Sequence, residues 1–261
     1  MKPPRLSGAA AALPFLLPLW LLHGAAAAEL RFESGQGQVA LVELYTSEGC
    51  SSCPPAETWL GGLRQQPGLW TRFVPVALHV TYWDRLGWPD RFAAAKFDQR
   101  QRLLAQRNST GVYTPGVFMN GGEWRRWRYV DAPAMRHLAS SEDRSDRPSE
   151  GGNLTLHRPR PGLWQLRFAG NAPEVPLQAH VALLGTGIRS SIARGENRGR
   201  ELNHDFVAVA HTTAILRDGR ARVRLPEAPT IAGTSAVAAW LTAVDGGVVQ
   251  ATGGWLADPS R

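Results

Sequence analysis

Two apolar runs, QVALVELYT (38–46) and RFVPVALHVT (72–81), constrain this chain more than any other feature. Their residues are apolar almost throughout, not at every second position. A strand of that kind is buried on both faces, the usual state in a parallel sheet covered by helices. Between the runs, AETWLGGLRQQ places Trp59, Leu60 and Leu63 at helical spacing, and FAAAKFDQRQRLLAQR (92–107) follows with strong helix formers. A third short strand, GVFMNG (116–121), comes after Thr114 and Pro115. Strand, helix, strand, helix, strand predicts an α/β domain with a largely parallel sheet.

The pattern changes after SSEDRSDRPSEGGN (140–153), a polar stretch rich in Ser, Pro and Gly with nothing to bury. Beyond it come short alternating segments such as NLTLH, LWQLRFA, FVAVAHTTAIL and AVAAWLTAV, separated by turn residues. They predict a mainly antiparallel β-domain, most simply a sandwich. At the other end, Lys2 and Arg5 precede an uncharged Ala/Leu-rich run that is broken by prolines and ends in HGAAAA. That is the form of a secretory signal peptide, not a membrane anchor. The expected organisation is a signal peptide (1–28), a first domain (29–140), a linker (141–152) and a C-terminal β-domain (153–261). The expected location is exported, periplasmic or secreted, with no stable membrane anchor after cleavage.

Export places Cys50 and Cys53, the only two cysteines, where a disulfide can persist. A bridge across so short a loop removes little entropy from the unfolded chain, so chemistry is a better reason for it than stability. The pair follows a strand and precedes a helix, where unsatisfied N–H groups and the helix dipole favour a thiolate. In a C-x-x-C the first thiolate attacks a disulfide and the second resolves the mixed intermediate, which assigns attack to Cys50 and resolution to Cys53. A zinc site would need a second half. No other CxxC exists and the remaining histidines show no ligand spacing, so neither a metal nor any other cofactor is expected.

The order strand, CxxC, helix and then GVYTPGVFMNG resembles the thioredoxin-like superfamily over about residues 36–137. That resemblance implies an α/β thioredoxin-like domain ahead of the β-domain. It also implies a cis Pro115 which, with Thr114, holds a substrate backbone against the dithiol. More narrowly, VELYTSEGCSSCPP, HVTYWDRLGWPDRFA, GVYTPGVFMNGG and ARGENRGRELNHDFVAVAH are similar to a secreted family, domain of unknown function 1223. Thioredoxins carry Trp before the first cysteine and Gly-Pro between the two, whereas this chain has Gly49, Ser51 and Ser52. Either serine is a candidate helix cap. Pro54 and Pro55 fit only a first helical turn, which predicts a helix starting at about Cys53.

Glu43 lies in an apolar strand and needs a partner or a proton. It is a candidate proton acceptor for Cys53, by analogy with the buried acid of thioredoxins, or else a carboxylate satisfied by an arginine. Glu48 reads as a solvated loop residue, with an alternative role of disfavouring the thiolate. Tyr82, Trp83 and Trp88 are candidates for a substrate-binding aromatic wall or for the core of a long loop, and Asp84 and His79 are weaker candidates for a general base. RGENRGRELNH (194–204) reads as a hairpin loop, the alternative being a segment that reaches the dithiol. WRRWR (124–128) reads as a solvated segment with snorkelling arginines, with no nucleic-acid partner.

The expected function is that of an exported thiol-disulfide oxidoreductase acting on a protein or a small thiol or disulfide. The alternatives are a copper-handling protein using both thiolates with His79 or another histidine, and a binding module with a permanently closed disulfide.

Overall fold

The two apolar runs become neighbouring parallel strands inside an eight-stranded sheet. The computed structural model describes residues 29–129, 152–171, 175–226 and 233–257. The expected signal peptide (1–28), the expected linker up to residue 151 and His137 lie outside the described residues.

The first half contributes β1 (Leu30–Glu33), β2 (Ala40–Thr46), α1 (Pro54–Gly62), β3 (Phe73–His79), α2 (Ala95–Arg107), β4 (Gly116–Met119) and β5 (Gly122–Glu123). The second half contributes β6 (Asn153–Arg160), β7 (Leu163–Ala169), β8 (Gln178–Gly185), β9 (Ile188–Ser191), β10 (Glu201–His204), β11 (Val207–Ile215), β12 (Arg220–Arg224), β13 (Thr234–Thr242) and β14 (Val248–Trp255). Pro54 and Pro55 occupy the first turn of α1, where no N–H is needed, and Cys53 is the residue before it. The helix buries Ala56, Glu57 and Leu60, and α2 buries Phe97, Gln101, Leu104 and Ala105 at helical spacing. Trp124 and Trp127 pack on Trp59 of α1 while Arg125, Arg126 and Arg128 stay exposed.

The large sheet runs β14-β13-β8-β11-β3-β2-β4-β5. β2 and β3 are parallel along their whole length, β11 meets β3 in parallel at Val207 and Ala77, and the other pairs are antiparallel. A second antiparallel sheet, β1-β6-β7-β12, takes its edge strand from the N-terminal segment. Period-two alternation assigns β13 to two cores. Ala236, Ala238 and Trp240 face the core enclosing β2 and β3, whereas Val237, Ala239 and Leu241 pack with Leu154, Trp164 and Phe168 of the small sheet.

The expectation of an α/β thioredoxin-like domain followed by a mainly antiparallel β-domain is overturned. The fold is mostly β, 44% strand against 18% helix, and is built from large mixed and antiparallel sheets. The physical reason is the outer edge of β3. A strand apolar on both faces also needs hydrogen-bonding neighbours on both sides, and β11 from the second half takes the open side. The third strand, β4, runs antiparallel to β2, so the parallel ladder ends after two strands and one bridge.

Candidate functional site

The chain leaves β2 at Thr46, makes two tight turns and enters α1. Cys50 N–H donates to the Ser47 carbonyl at 3.1 Å and Cys53 N–H to the Cys50 carbonyl at 3.2 Å. These turns bring the two Cα atoms to 5.4 Å, and the cysteines form a disulfide. Both are fully buried, while Ser51 and Ser52 between them are exposed. Neither serine caps the helix; Ser52 Oγ instead sits 3.4 Å from Cys50 Sγ. Pro54 and Pro55 have no N–H, and the next two donors, Ala56 and Glu57, bond to the Cys53 carbonyl. The helix start therefore offers few free donors to a Cys50 thiolate.

The second half closes over this loop. β9 and β10 pair as a hairpin, and its connecting segment is indeed a loop, but it also reaches the dithiol. Asn197, fully buried, donates from Nδ2 to the carbonyls of Glu48 (2.8 Å) and Cys50 (3.0 Å). Ser51 donates from both N–H and Oγ to Glu196 Oε2, at 3.1 and 2.7 Å, which lowers the pKa of that carboxylate.

Four of the residues singled out in the sequence gather here. Trp83 lies against Gly49, where an added Cβ would be 3.2 Å from the Trp83 Cβ, and its indole donates to Thr114 Oγ1 at 2.7 Å. The Thr114–Pro115 peptide is cis. Trp88 donates to Glu48 Oε2 at 2.6 Å. Tyr82 turns instead towards α2 and donates to Gln101 Oε1 at 3.2 Å; burial pushes its hydroxyl up to about 12.

Glu43 is not brought to the dithiol. Side chains alternate along β2, so Thr46 faces α1, donating to Glu57 Oε1 at 2.6 Å, while Glu43 faces α2. There Arg100 grips both its oxygens at 2.5 and 2.8 Å and Tyr45 donates to it at 3.1 Å.

The acids on the dithiol side are others. Glu48 is buried, in contrast to the solvated loop residue expected, because Trp88 and the hairpin cover it. Its Oε1 lies 3.4 Å from Nε2 of His204, whose Nδ1 contacts Glu57 Oε2 at 2.6 Å. Burial works against charge on His204, but the hydrogen bonds and charges of Glu48 and Glu57 outweigh it and raise the imidazole to about 9. Next to it, at 5.4 Å between ring centroids, is His79, whose Nδ1 pairs with Asp90 Oδ2 at 2.7 Å. Burial again opposes ionisation, but the charge and hydrogen bond of His79 hold Asp90 at about 2. Among the described residues no lysine or arginine pairs with Glu48, Glu57 or Asp90. Sequence reasoning passed over Glu57 and Asp90, and named Glu196, Asn197 and His204 only as members of the 194–204 segment, whose reach to the dithiol was the alternative to a plain hairpin loop. Two signals for them were present: Glu57 lies one helical turn beyond Cys53, and His204 shares the inward phase of Leu202 in ELNH.

On the α2 side, a cavity of about 480 Å³ is lined by Lys96, Arg100, His180, His211 and Trp240, among others. His180 Nδ1 and His211 Nε2 are 3.2 Å apart, and both rings stack on Trp240. Burial first, then the charges of Lys96 and Arg100, depress His211 to about 3.

The family model described as a protein of unknown function (DUF1223) matches residues 41–242. No curated protein matches the chain in sequence. Among solved structures, a crystal structure of the Agrobacterium tumefaciens protein AGR_C_4864 is similar, with a TM-score of 0.59 and 23% identity over 86% of this chain and 97% of that one. HBP35 of Porphyromonas gingivalis is similar with a TM-score of 0.51 and 11% identity, covering 84% and 75% of the two chains. At these identities the likeness is one of fold.

Proposed function

The chain belongs to the DUF1223 family, whose description names no reaction, and from its site we propose that it is an exported thiol-disulfide oxidoreductase. The observation that carries this reading is the position of the Cys50–Cys53 disulfide. It lies between a central strand and a helix, Trp83 packs on the preceding Gly49 and reaches Thr114, and a polar hairpin clasps the loop where a purely structural bridge would need no such surroundings.

In the reducing direction the Cys50 thiolate attacks one sulfur of a substrate disulfide and expels the other as a thiolate, which takes up a proton. The Cys53 thiolate then attacks Cys50 Sγ, releasing the second substrate thiol and restoring the Cys50–Cys53 bond. Two electrons and two protons pass from the dithiol to the substrate; in the oxidising direction every step reverses. Because both sulfurs are buried, substrate entry requires the Glu196–Asn197 loop to move aside. Thr114, Pro115, Trp83 and Trp88 would line the substrate, a protein or a small thiol or disulfide. Arg100 occupies Glu43, which is therefore not free to take a proton from the dithiol. The Ala/Leu-rich N-terminal segment supports export, and no helix among the described residues is long and apolar enough to cross a membrane.

The test is the reduction potential of the couple, measured in glutathione buffers with alkylation of free thiols, together with exchange activity of Cys50→Ala. A potential of about −120 to −270 mV with activity lost in the variant is the expected result. A potential below about −300 mV, with the variant unchanged in every exchange assay, would leave only a binding module with a closed disulfide.

A further inference from the structure

We propose that Glu57, His79 and His204 form a binding site for one divalent transition-metal ion of the zinc class, behind the dithiol loop. Each residue offers one ligand atom, the three atoms lie within 4.8 Å of one another, and all three residues are buried.

The buried atoms without hydrogen-bond partners point to a ligand. His79 Nδ1 is fixed by Asp90, and Asp90 is in turn held by the N–H groups of Glu48 and Phe92 at 2.8 and 2.9 Å. This is the carboxylate–imidazole arrangement that orients a histidine and leaves Nε2 as the donor to a metal. His79 Nε2 is buried and unpartnered, and His204 Nε2 and Glu48 Oε1 face each other only across 3.4 Å, long for a charge-assisted hydrogen bond. An ion placed among them resolves all three. His79 Nε2 binds it, and Glu57 and His204 Nδ1 bind it after releasing to solvent the proton they share at 2.6 Å. His204 Nε2–H then closes on Glu48 Oε1, now 3.4 Å away.

The charge balance agrees. Three buried carboxylates, Glu48, Glu57 and Asp90, face two imidazoles with no arginine or lysine paired to them among the described residues. A divalent ion supplies positive charge where no basic side chain does. Two imidazoles and a carboxylate suit Zn(II) or Co(II), whereas Ca(II) and Mg(II) prefer all-oxygen sets and Cu(I) prefers sulfur. Three protein ligands leave a fourth position open.

This inference does not rest on the redox reading, and its test separates the two by keeping the disulfide closed. The oxidised mature chain, stripped with chelator, is titrated with Zn(II) by calorimetry and with Co(II) by absorption spectroscopy. One equivalent is expected to bind with release of about one proton, and Cys50→Ser/Cys53→Ser is expected to bind equally well. Glu57→Gln and His79→Gln should abolish binding, and Asp90→Asn should weaken it roughly 10- to 100-fold by freeing the His79 ring. X-ray absorption of the wild-type Zn(II) form reads the site even where a variant fails to fold. A shell of nitrogen and oxygen only is expected; sulfur ligation, failure of the folded chain to bind, or undiminished binding by folded Glu57→Gln would each overturn the proposal.

Discussion

Asn197 Nδ2 lies 3.0 Å from the carbonyl oxygen of Cys50, a hydrogen bond that spans 147 positions of sequence and ties the disulfide loop to the C-terminal half.

Asn197→Ala removes two hydrogen bonds to buried carbonyls, and leaving such acceptors unmet costs about 1–3 kcal/mol. Urea unfolding should show that loss. The variant's disulfide should also be reduced faster by dithiothreitol, because the clasp over it is released. Equal reduction rates in the two proteins would mean that the hairpin does not gate the sulfurs.

Arg100→Met leaves the Glu43 carboxylate buried without its partner and should destabilise the protein by roughly 3–5 kcal/mol. Adding Glu43→Gln should recover part of that loss. The reduction potential of the dithiol should stay at the wild-type value in both variants, since the pair faces α2 and not α1. A shifted potential would restore a redox role to Glu43.

Acid should act in part through His211, which lies beside His180, an imidazole that burial also depresses. The folded pKa of His211, about 3, lies below the ordinary 6.5, so the unfolded chain binds this proton first. The stabilisation is complete above pH 6.5 and is lost as pH falls towards 3, on the order of 5 kcal/mol. His211→Gln should flatten that limb of the stability profile measured by chemical denaturation. An unchanged slope would place the acid sensitivity elsewhere.

Gly254 sits where the small sheet meets the large one. A Cβ there would stand 2.2 Å from the Phe32 ring of β1, so Gly254→Ala must push the ring or the strand aside. A loss of about 1–3 kcal/mol is expected. Phe32→Ala in the same background should relieve the clash, so the double variant should be more stable than the sum of the two single losses implies. Simple additivity would show that the two side chains do not compete for the space.

Much of the local structure could be read from residues alone. The uninterrupted apolar runs mark β2 and β3, Pro54 and Pro55 mark the start of α1, and the alternation in LWQLRFA marks β7. The assembly could not, because periodicity reports which faces are buried and not which strand lies alongside. FVAVAHTTAIL looks the same whether its neighbour is a sandwich strand or Ala77 of β3. The candidate site divided similarly. Cys50, Cys53, Trp83, Trp88, Thr114 and Pro115 stood out by type and spacing, whereas His79 and His204 are far apart in the chain and meet only because β10 folds back over α1. Glu43 was recognisable as a buried acid, but the face it occupies depends on strand phase relative to two helices, which one sequence does not specify.

The place of β11 beside β3 also limits how the proposed polypeptide substrate can approach. Many proteins capture an extended peptide by adding it as one more strand at a sheet's free border. Here the strand flanking β2 already has its neighbour, and the borders of the large sheet fall at β5 and β14. Recognition near the sulfurs must then come from loops and side chains. A chain cut after residue 129 would keep the dithiol but lose the Phe206 carbonyl that accepts from Ala77 N–H and the strand that lies beside β3 there, inviting self-association along that side.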